Sequence, residues 1–231
     1  MSAGDAVAVN PMPAQPVLIF ANGDLRDGWF VQQALQHLRD PYVIAADGGA
    51  RNAQRSGQTP DLVIGDMDSL SNQELDALAR SGAHIERYPE EKNETDLELA
   101  LQRACERSAS VIRIIGATGS RVDQSLGNIY LLALPALRDC DVRILSGDQQ
   151  LWLARPGQHT LHGHTDDTLS LLPLTADAQG ISTQGLYYPL DDDTLSFGPA
   201  RGMSNVFTSE QPTFSFKQGL LLVIHTHGTP E

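Results

Sequence analysis

Asp66 and Asp68 stand two positions apart at the end of a short apolar run, Leu62 to Gly65. In an extended segment that spacing turns both side chains to the same side. Asp96 follows Thr95 at a helix start and can complete the set. Three such carboxylates are candidate ligands for Mg²⁺, which takes hard oxygen ligands and is usually held by a few carboxylates plus substrate phosphates. Gly48, Gly49, Gly116 and Gly119 lie in strand-to-helix turns, where a missing side chain lets backbone approach a phosphate chain. Arg121 comes next, and a guanidinium is well suited to the charge on a transferring phosphoryl group. These are the parts of metal-assisted phosphoryl transfer from a nucleotide. The phosphate-binding loop of P-loop nucleotidases is not among them, because its glycine–lysine signature does not occur.

Residues this far apart in sequence need a scaffold that gathers them. Val17 to Phe20, Val43 to Ala46, Leu62 to Gly65, Val111 to Ile115 and Val142 to Leu145 read as short buried strands, with a weaker one at His84 to Tyr88. Between them, apolar residues at spacings of three and four read as helices: Val31 to Leu38, Leu97 to Cys105, and Leu126 to Leu137. Ser71 with Glu74, and Thr95 with Glu98, fit the capping box that opens a helix. Strand–helix alternation implies an α/β fold with a mainly parallel sheet flanked by helices. After about Gly147 the helical period stops, and short apolar stretches separated by Gly and Pro read as a small antiparallel β-sandwich. The organisation expected is a tail at 1–16, an α/β nucleotide-binding domain at 17–148 and a β domain at 149–231. In open α/β sheets, ligands bind beyond the carboxyl ends of the strands. Asp47, Asp66, Asp68, Asp96 and Asp123 all fall at strand or helix ends on that edge. Carboxylates gathered there without compensation would repel one another.

The 231 residues carry 16 Lys and Arg against 29 Asp and Glu, a formal charge of −13. That charge argues against a nucleic-acid partner, which requires cations to displace phosphate counterions, and against docking on an anionic membrane. It permits a phosphate-rich substrate if a divalent cation lies between the two. Cys105 and Cys140 offer no disulfide framework and no metal spacing, and Cys105 reads as a core residue. No run approaches the ~20 apolar residues of a membrane helix. Nor does the N-terminus read as a signal peptide, so a soluble cytoplasmic protein is expected.

Taken in order, Asp47-Gly48-Gly49-Ala50, Gly65-Asp66-Met67-Asp68-Ser69, Asn93-Glu94-Thr95-Asp96 and Gly116 through Asp123 resemble the motifs of the thiamine pyrophosphokinase family. Gly185 through Leu190 and Gly202-Met203-Ser204-Asn205 resemble its thiamine-side motifs. The resemblance implies an α/β catalytic domain followed by a β-sandwich, and a homodimer with sites at the subunit interface. It implies pyrophosphoryl transfer from ATP to the thiamine hydroxyl, with release of AMP. By match to the motifs, Asp66, Asp68 and Asp96 serve the Mg²⁺–ATP site. Asp47, Thr95, Arg121 and Asp123 hold the nucleotide and phosphates or orient the reacting groups. Tyr188 faces the thiamine pyrimidine, with Ser204 and Asn205 as further contacts. An aromatic platform suits a cationic aromatic ligand, and Ser and Asn supply the few hydrogen bonds an aminopyrimidine needs.

Asp96 and Asp123 both stand as candidate general bases. Asn93 and Ser120 depart from the family's usual Asp and Gly, and Gln124 from a frequent His. Two alternatives remain at this level: a Mg²⁺-dependent transferase acting on another heterocyclic alcohol, and a non-catalytic thiamine or nucleotide sensor. His162, His164, Asp166 and Asp167 read as a solvated strand end or turn. His225 and His227 read as exposed residues near the terminus, and Asp191 to Asp193 as a loop.

Overall fold

The structure, a computed structural model, describes residues 15–228. The expected tail therefore falls almost entirely outside the described residues. The chain runs β1 (Val17–Phe20), α1 (Trp29–His37), β2 (Tyr42–Ala46), α2 (Gly49–Arg55), β3 (Leu62–Gly65), α3 (Asn72–Arg80), β4 (His84–Arg87), α4 (Asp96–Glu106), β5 (Val111–Ile115) and α5 (Val122–Leu131). A 3₁₀ turn at Pro135–Leu137 leads to β6 (Asp141–Ser146). The rest is β: β7 (Gln149–Ala154), β8 (Gly157–Thr160), β9 (Thr168–Pro173), β10 (Ala178–Gln184), β11 (Asp193–Leu195), β12 (Asn205–Val206), β13 (Thr213–Phe216) and β14 (Leu221–Thr226).

Strands β6-β5-β1-β2-β3-β4 are parallel and adjacent in that order. The apolar runs of β1, β2, β3, β5 and β6 are largely buried, as a sheet covered on both faces requires, while the edge strand β4 is not. The chain leaves β1 towards β2 on one side, while β5 flanks it on the other. The gap between the β1 and β5 ends is thus a topological switch point, where α/β sheets bind ligands. The antiparallel half continues the same sheet through β7, β14, β9 and β12, so one ten-stranded sheet crosses from one sequence half to the other. A second sheet, β11-β10-β13-β8, packs over this end. Phe207, Phe214, Phe216, Leu171, Leu221 and Val223 share the core of this part. Among the described residues no helix is long and apolar enough to cross a membrane.

Several elements differ from the sequence reading. The third helix ends at Leu131 rather than Leu137, because Pro135 disfavours helical backbone at Leu134, which is extended. Leu126 and Tyr130 face outward on α5 instead of joining Ile129 in the core. β8, β10 and β11 form on segments without a continuous apolar run; β11 begins at Asp193, inside the acidic run read as a loop. Cys105 is only partly buried, packed against the main core, and both cysteines are free.

The largest correction concerns histidine. His225 lies inside β14 at 1% exposure, with His227 just beyond it. Asp167, expected in a solvated turn, is also 1% exposed. Burial works against its charge, but donors from the backbone of His164 and Gly228 and from His225 hold its carboxyl below the ordinary range.

Candidate active site

The β1 and β5 ends open into two loops that fasten to each other. Gly23 N–H donates to the Gly116 carbonyl at 2.7 Å, and Asp24 N–H to the Thr118 carbonyl at 2.8 Å. Asn52, buried on α2, braces the first loop by donating to the carbonyls of Ala21 and Gly23. Asn128 on α5 braces the second by donating to the Ala117 carbonyl at 2.7 Å. These loops, with the ends of β2 and β3 and the start of α4, wall a cavity of about 540 Å³.

Asp47, Asp66, Asp68, Thr95, Asp96, Gly116, Gly119 and Arg121 line that cavity. Gly48 and Gly49 do not. A Cβ on Gly48 would strike the Asn22 amide, and one on Gly49 the backbone of Phe20, so both glycines serve chain packing. Asp123 lies beside the cavity and is paired with Arg121, whose guanidinium holds the Asp123 carboxyl below its ordinary value.

The carboxylates do not group quite as the sequence suggested. Ligand atoms of Asp47, Asp66 and Asp68 lie within 4.8 Å of one another, with Asp96 outside that group. Asp47 reaches it from a left-handed turn (φ 46°) directly after β2. Its Oδ1 is buried and has no hydrogen-bond partner among the described residues. A buried carboxylate oxygen left bare is costly, and a hard cation among three carboxylates is what would satisfy it. The donor set therefore fits Mg²⁺.

Asp68 is held by a short chain of contacts. The Ser69 hydroxyl bonds its Oδ1 at 3.1 Å and accepts from Asn22 at 3.2 Å. Arg51 grips the Ser69 carbonyl at 2.7 Å and the Glu74 carboxylate at 2.6 Å. Glu74 also closes a full capping box with Ser71 at the start of α3, as its sequence spacing predicts. At α4, only the Thr95 half of the expected box forms.

One further cavity residue, Lys92, is not singled out by the sequence. Lys92 reaches Asp66 at 3.1 Å and Asp96 at 3.0 Å, a cation between carboxylates of different elements. Its place in the segment before α4 gave no signal, because the contact spans β3 and α4. Asp66 and Asp96 respond oppositely. Burial opposes charge on both, but the Asp68 N–H and Lys92 outweigh it at Asp66 and lower that carboxyl. At Asp96 burial dominates, aided by the nearby Asp66 and Asp47, and the carboxyl is raised despite Lys92. Gly65 lets these groups converge: a Cβ there would lie 2.9 Å from the Asp96 carboxyl carbon and 3.1 Å from the Asp47 Cβ.

The remaining predicted residues sit at a second cavity of about 460 Å³ in the β half, which shares no lining residue with the first. Tyr188, Asn205, Leu171, Leu186 and Met203 contribute to its wall. Asn205 grips the Tyr188 backbone in both directions: its amide donates to the Tyr188 carbonyl at 2.7 Å, and its Oδ1 accepts from the Tyr188 N–H at 2.9 Å. Tyr188 stays 63% exposed. Ser204 is not in the wall; it takes the left-handed turn (φ 54°) leading to Asn205.

Residues 34–144 match the thiamin pyrophosphokinase catalytic domain, and residues 158–221 match the thiamin pyrophosphokinase vitamin B1 binding domain. A thiamine pyrophosphokinase of Bacillus subtilis is 30% identical over 184 residues, 79% of this chain and 86% of that protein. The chain belongs to the thiamine pyrophosphokinase family. A rice member, thiamine pyrophosphokinase 1, is 26% identical over 78% of this chain and 77% of its own length. Among solved structures, the B. subtilis enzyme superposes with a TM-score of 0.82 at 27% identity, covering 92% of this chain and 99% of that one. A family protein of Enterococcus faecalis gives 0.80 at 26% identity, covering 93% and 100%. The two matched domains correspond to the two cavities. The acidic cavity is walled mainly by residues of the catalytic match, joined by Ala21 to Asp24 ahead of it, and Tyr188 and Asn205 lie in the vitamin B1 binding match.

Proposed function

We propose that this chain transfers a pyrophosphoryl group from ATP to the hydroxyl of thiamine, giving thiamine diphosphate and AMP. The observation that carries the reading is the convergence of Asp47, Asp66 and Asp68 beyond the ends of β2 and β3, in the cavity that the switch-point loops also wall, in a chain that belongs to this family. ATP phosphates occupy the acidic cavity, and thiamine occupies the Tyr188 cavity.

Mg²⁺, when bound, supplies charge neutralisation and polarises the phosphate oxygens. Asp47, Asp66 and Asp68 hold it. Arg121 and Lys92 bring positive charge to the phosphate chain. The thiamine oxygen forms a bond to the β-phosphorus, and the bond from that phosphorus to the oxygen bridging the α-phosphate breaks. AMP leaves with that oxygen. Asp96, in the cavity wall, and Asp123, beside it and paired with Arg121, are the two candidate acceptors of the hydroxyl proton. Most of the rate gain comes from positioning and charge, as in phosphoryl transfer generally.

Two separate cavities on one chain raise the question of how the substrates meet. We propose a homodimer in which one copy's acidic cavity faces its partner's Tyr188 cavity. An unpartnered apolar stripe on α5 supports this: Val122, Leu126 and Tyr130 are 77%, 45% and 54% exposed at successive intervals of four. They begin immediately after Arg121. Leu126→Glu should shift the protein from dimer to monomer in sedimentation and abolish turnover together. A monomer with full activity would refute the shared site.

The thiamine assignment has its own test. Tyr188→Ala should raise the KM for thiamine by about 10-fold or more, in line with the ~1–2 kcal/mol of a cation–π contact in a desolvated site. The KM for ATP should stay within about twofold. Equal effects on both would remove Tyr188 from the thiamine site.

A further inference from the structure

A second cluster of metal-ligating side chains lies where β9 and β14 meet in the large sheet, and none of its members lines either cavity. Its members are His164, Asp167 and His227, and their ligand atoms lie within 4.8 Å of one another. The strand register builds it. Thr168 of β9 pairs with Thr226 of β14, so Asp167 and His227 are the next residues along that antiparallel ladder. His164 belongs to the turn entering β9, and its backbone N–H donates to Asp167 Oδ2 at 2.9 Å.

We infer that His164, Asp167 and His227 form a binding site for a divalent transition-metal ion of the zinc class. Two imidazoles and one carboxylate are a donor set that suits zinc and its neighbours rather than Mg²⁺, which prefers oxygen alone. The decisive observation is His227 Nδ1. It is buried, has no hydrogen-bond partner among the described residues, and faces Asp167 Oδ1 at 3.0 Å. If that nitrogen carries its lone pair, two electron-rich atoms are pressed together. If it carries a proton, the proton does not point along a hydrogen bond. A cation bound by both atoms resolves either conflict.

The His164 Nδ1 lies 4.0 Å from Asp167 Oδ2. Metal bonds of about 2.1 Å in tetrahedral geometry place donor atoms ~3.4 Å apart. The cluster, whose ligand atoms lie within 4.8 Å of one another, therefore needs to contract by at most ~1.4 Å, which the 57% exposed His164 side chain can supply. The carboxylate is already oriented. Gly228 N–H donates to its Oδ1 at 2.8 Å, and His225 Nε2 reaches its Oδ2 at 2.8 Å. His225 is fixed in turn by the Gln150 amide at 3.0 Å. Such outer partners typically set the orientation of metal ligands. Trp29, at the start of α1, stacks on His227 with ring centres 4.4 Å apart and meets His164 edge-on at 5.5 Å, restraining both rings. An ion here would clip the entry of β9 to the end of β14.

Trp29 also provides a reporter. Protein stripped with a chelator should take up about one Zn²⁺ or Co²⁺ per chain in excess Mg²⁺, and Co²⁺ should quench Trp29 fluorescence in a Trp152→Phe background. Zn²⁺ should raise the melting temperature of the same protein. His164→Ala and His227→Ala should each weaken uptake by at least about 10-fold and remove that thermal shift, while their metal-free melting temperatures match the parent. Asp66→Asn and His162→Ala should bind the ion as the parent does, which separates this site from the carboxylate site. Absence of saturable uptake in excess Mg²⁺, or equal uptake by the parent and both histidine variants, would overturn the assignment.

Discussion

Asp66→Asn should lower kcat by at least about 100-fold, the scale seen when one electrostatic group that acts on the transition state is removed. The substitution keeps shape and removes one negative charge from the group formed with Asp47 and Asp68. It also leaves Lys92 with Asp96 as its carboxylate partner at 3.0 Å. Saturating Mg²⁺ should recover part of the loss, because the remaining two carboxylates still bind the ion, only more weakly. Folding should be nearly unaffected: the variant relieves like-charge repulsion while giving up one contact to Lys92. Steady-state kinetics across a Mg²⁺ series, with a melting curve for each protein, checks both halves. Near-wild-type activity at limiting Mg²⁺ would show that the three-carboxylate group is not the metal site.

Gly49→Ala should have the largest effect on stability. Its Cβ would lie 2.0 Å from the Phe20 carbonyl oxygen and 2.6 Å from the carbonyl carbon. Both atoms are backbone at the end of β1, and Phe20 is fully buried, so no side chain can swing aside. Helix α2 would have to move off the sheet, carrying with it Asn52, whose amide braces the cavity loop. Overpacking of this kind costs typically 1–3 kcal/mol and occasionally more, so about 3 kcal/mol is expected. For a chain of this length that lowers the melting temperature by roughly 6–12 °C. Gly127→Ala in α5 is the matched control. A Cβ there meets nothing within 4 Å, and the helix should gain about 0.5–1 kcal/mol. Equal melting temperatures for Gly49→Ala and the parent would mean that β1 and α2 do not pack as described.

The pattern of success and failure in the sequence follows from the range of the interactions. Asp66, Asp68 and Asp96 were legible because a short strand or a helix start positions each locally, and the α/β alternation puts those ends on one edge. Asp47 was visible as a turn residue, but its approach to Asp66 and Asp68 depends on β2 and β3 lying side by side. Lys92 had no local signature at all, since its two partners lie 26 and 4 residues away on different elements. Asn205, a ligand contact by motif, lines the wall of the second cavity. Its hold on the Tyr188 backbone needed the pairing across 17 residues. The histidines near the terminus show the same limit more sharply. His225 is polar and close to the last residue, which reads as exposed. It is buried because β14 enters the middle of the sheet between β7 and β9, a long-range closure that no window of sequence reports. β10 was hidden by Gly180 and its polar outward positions, although its burial alternates along part of its length.

Whether two phosphoryl units move in one step is read from the nucleotide product. Protein incubated with Mg²⁺, thiamine and ATP labelled at the α-phosphate should release label as AMP, matched by an equal amount of thiamine diphosphate. Label appearing as ADP, with thiamine monophosphate as the partner product, would contradict attack at the β-phosphorus.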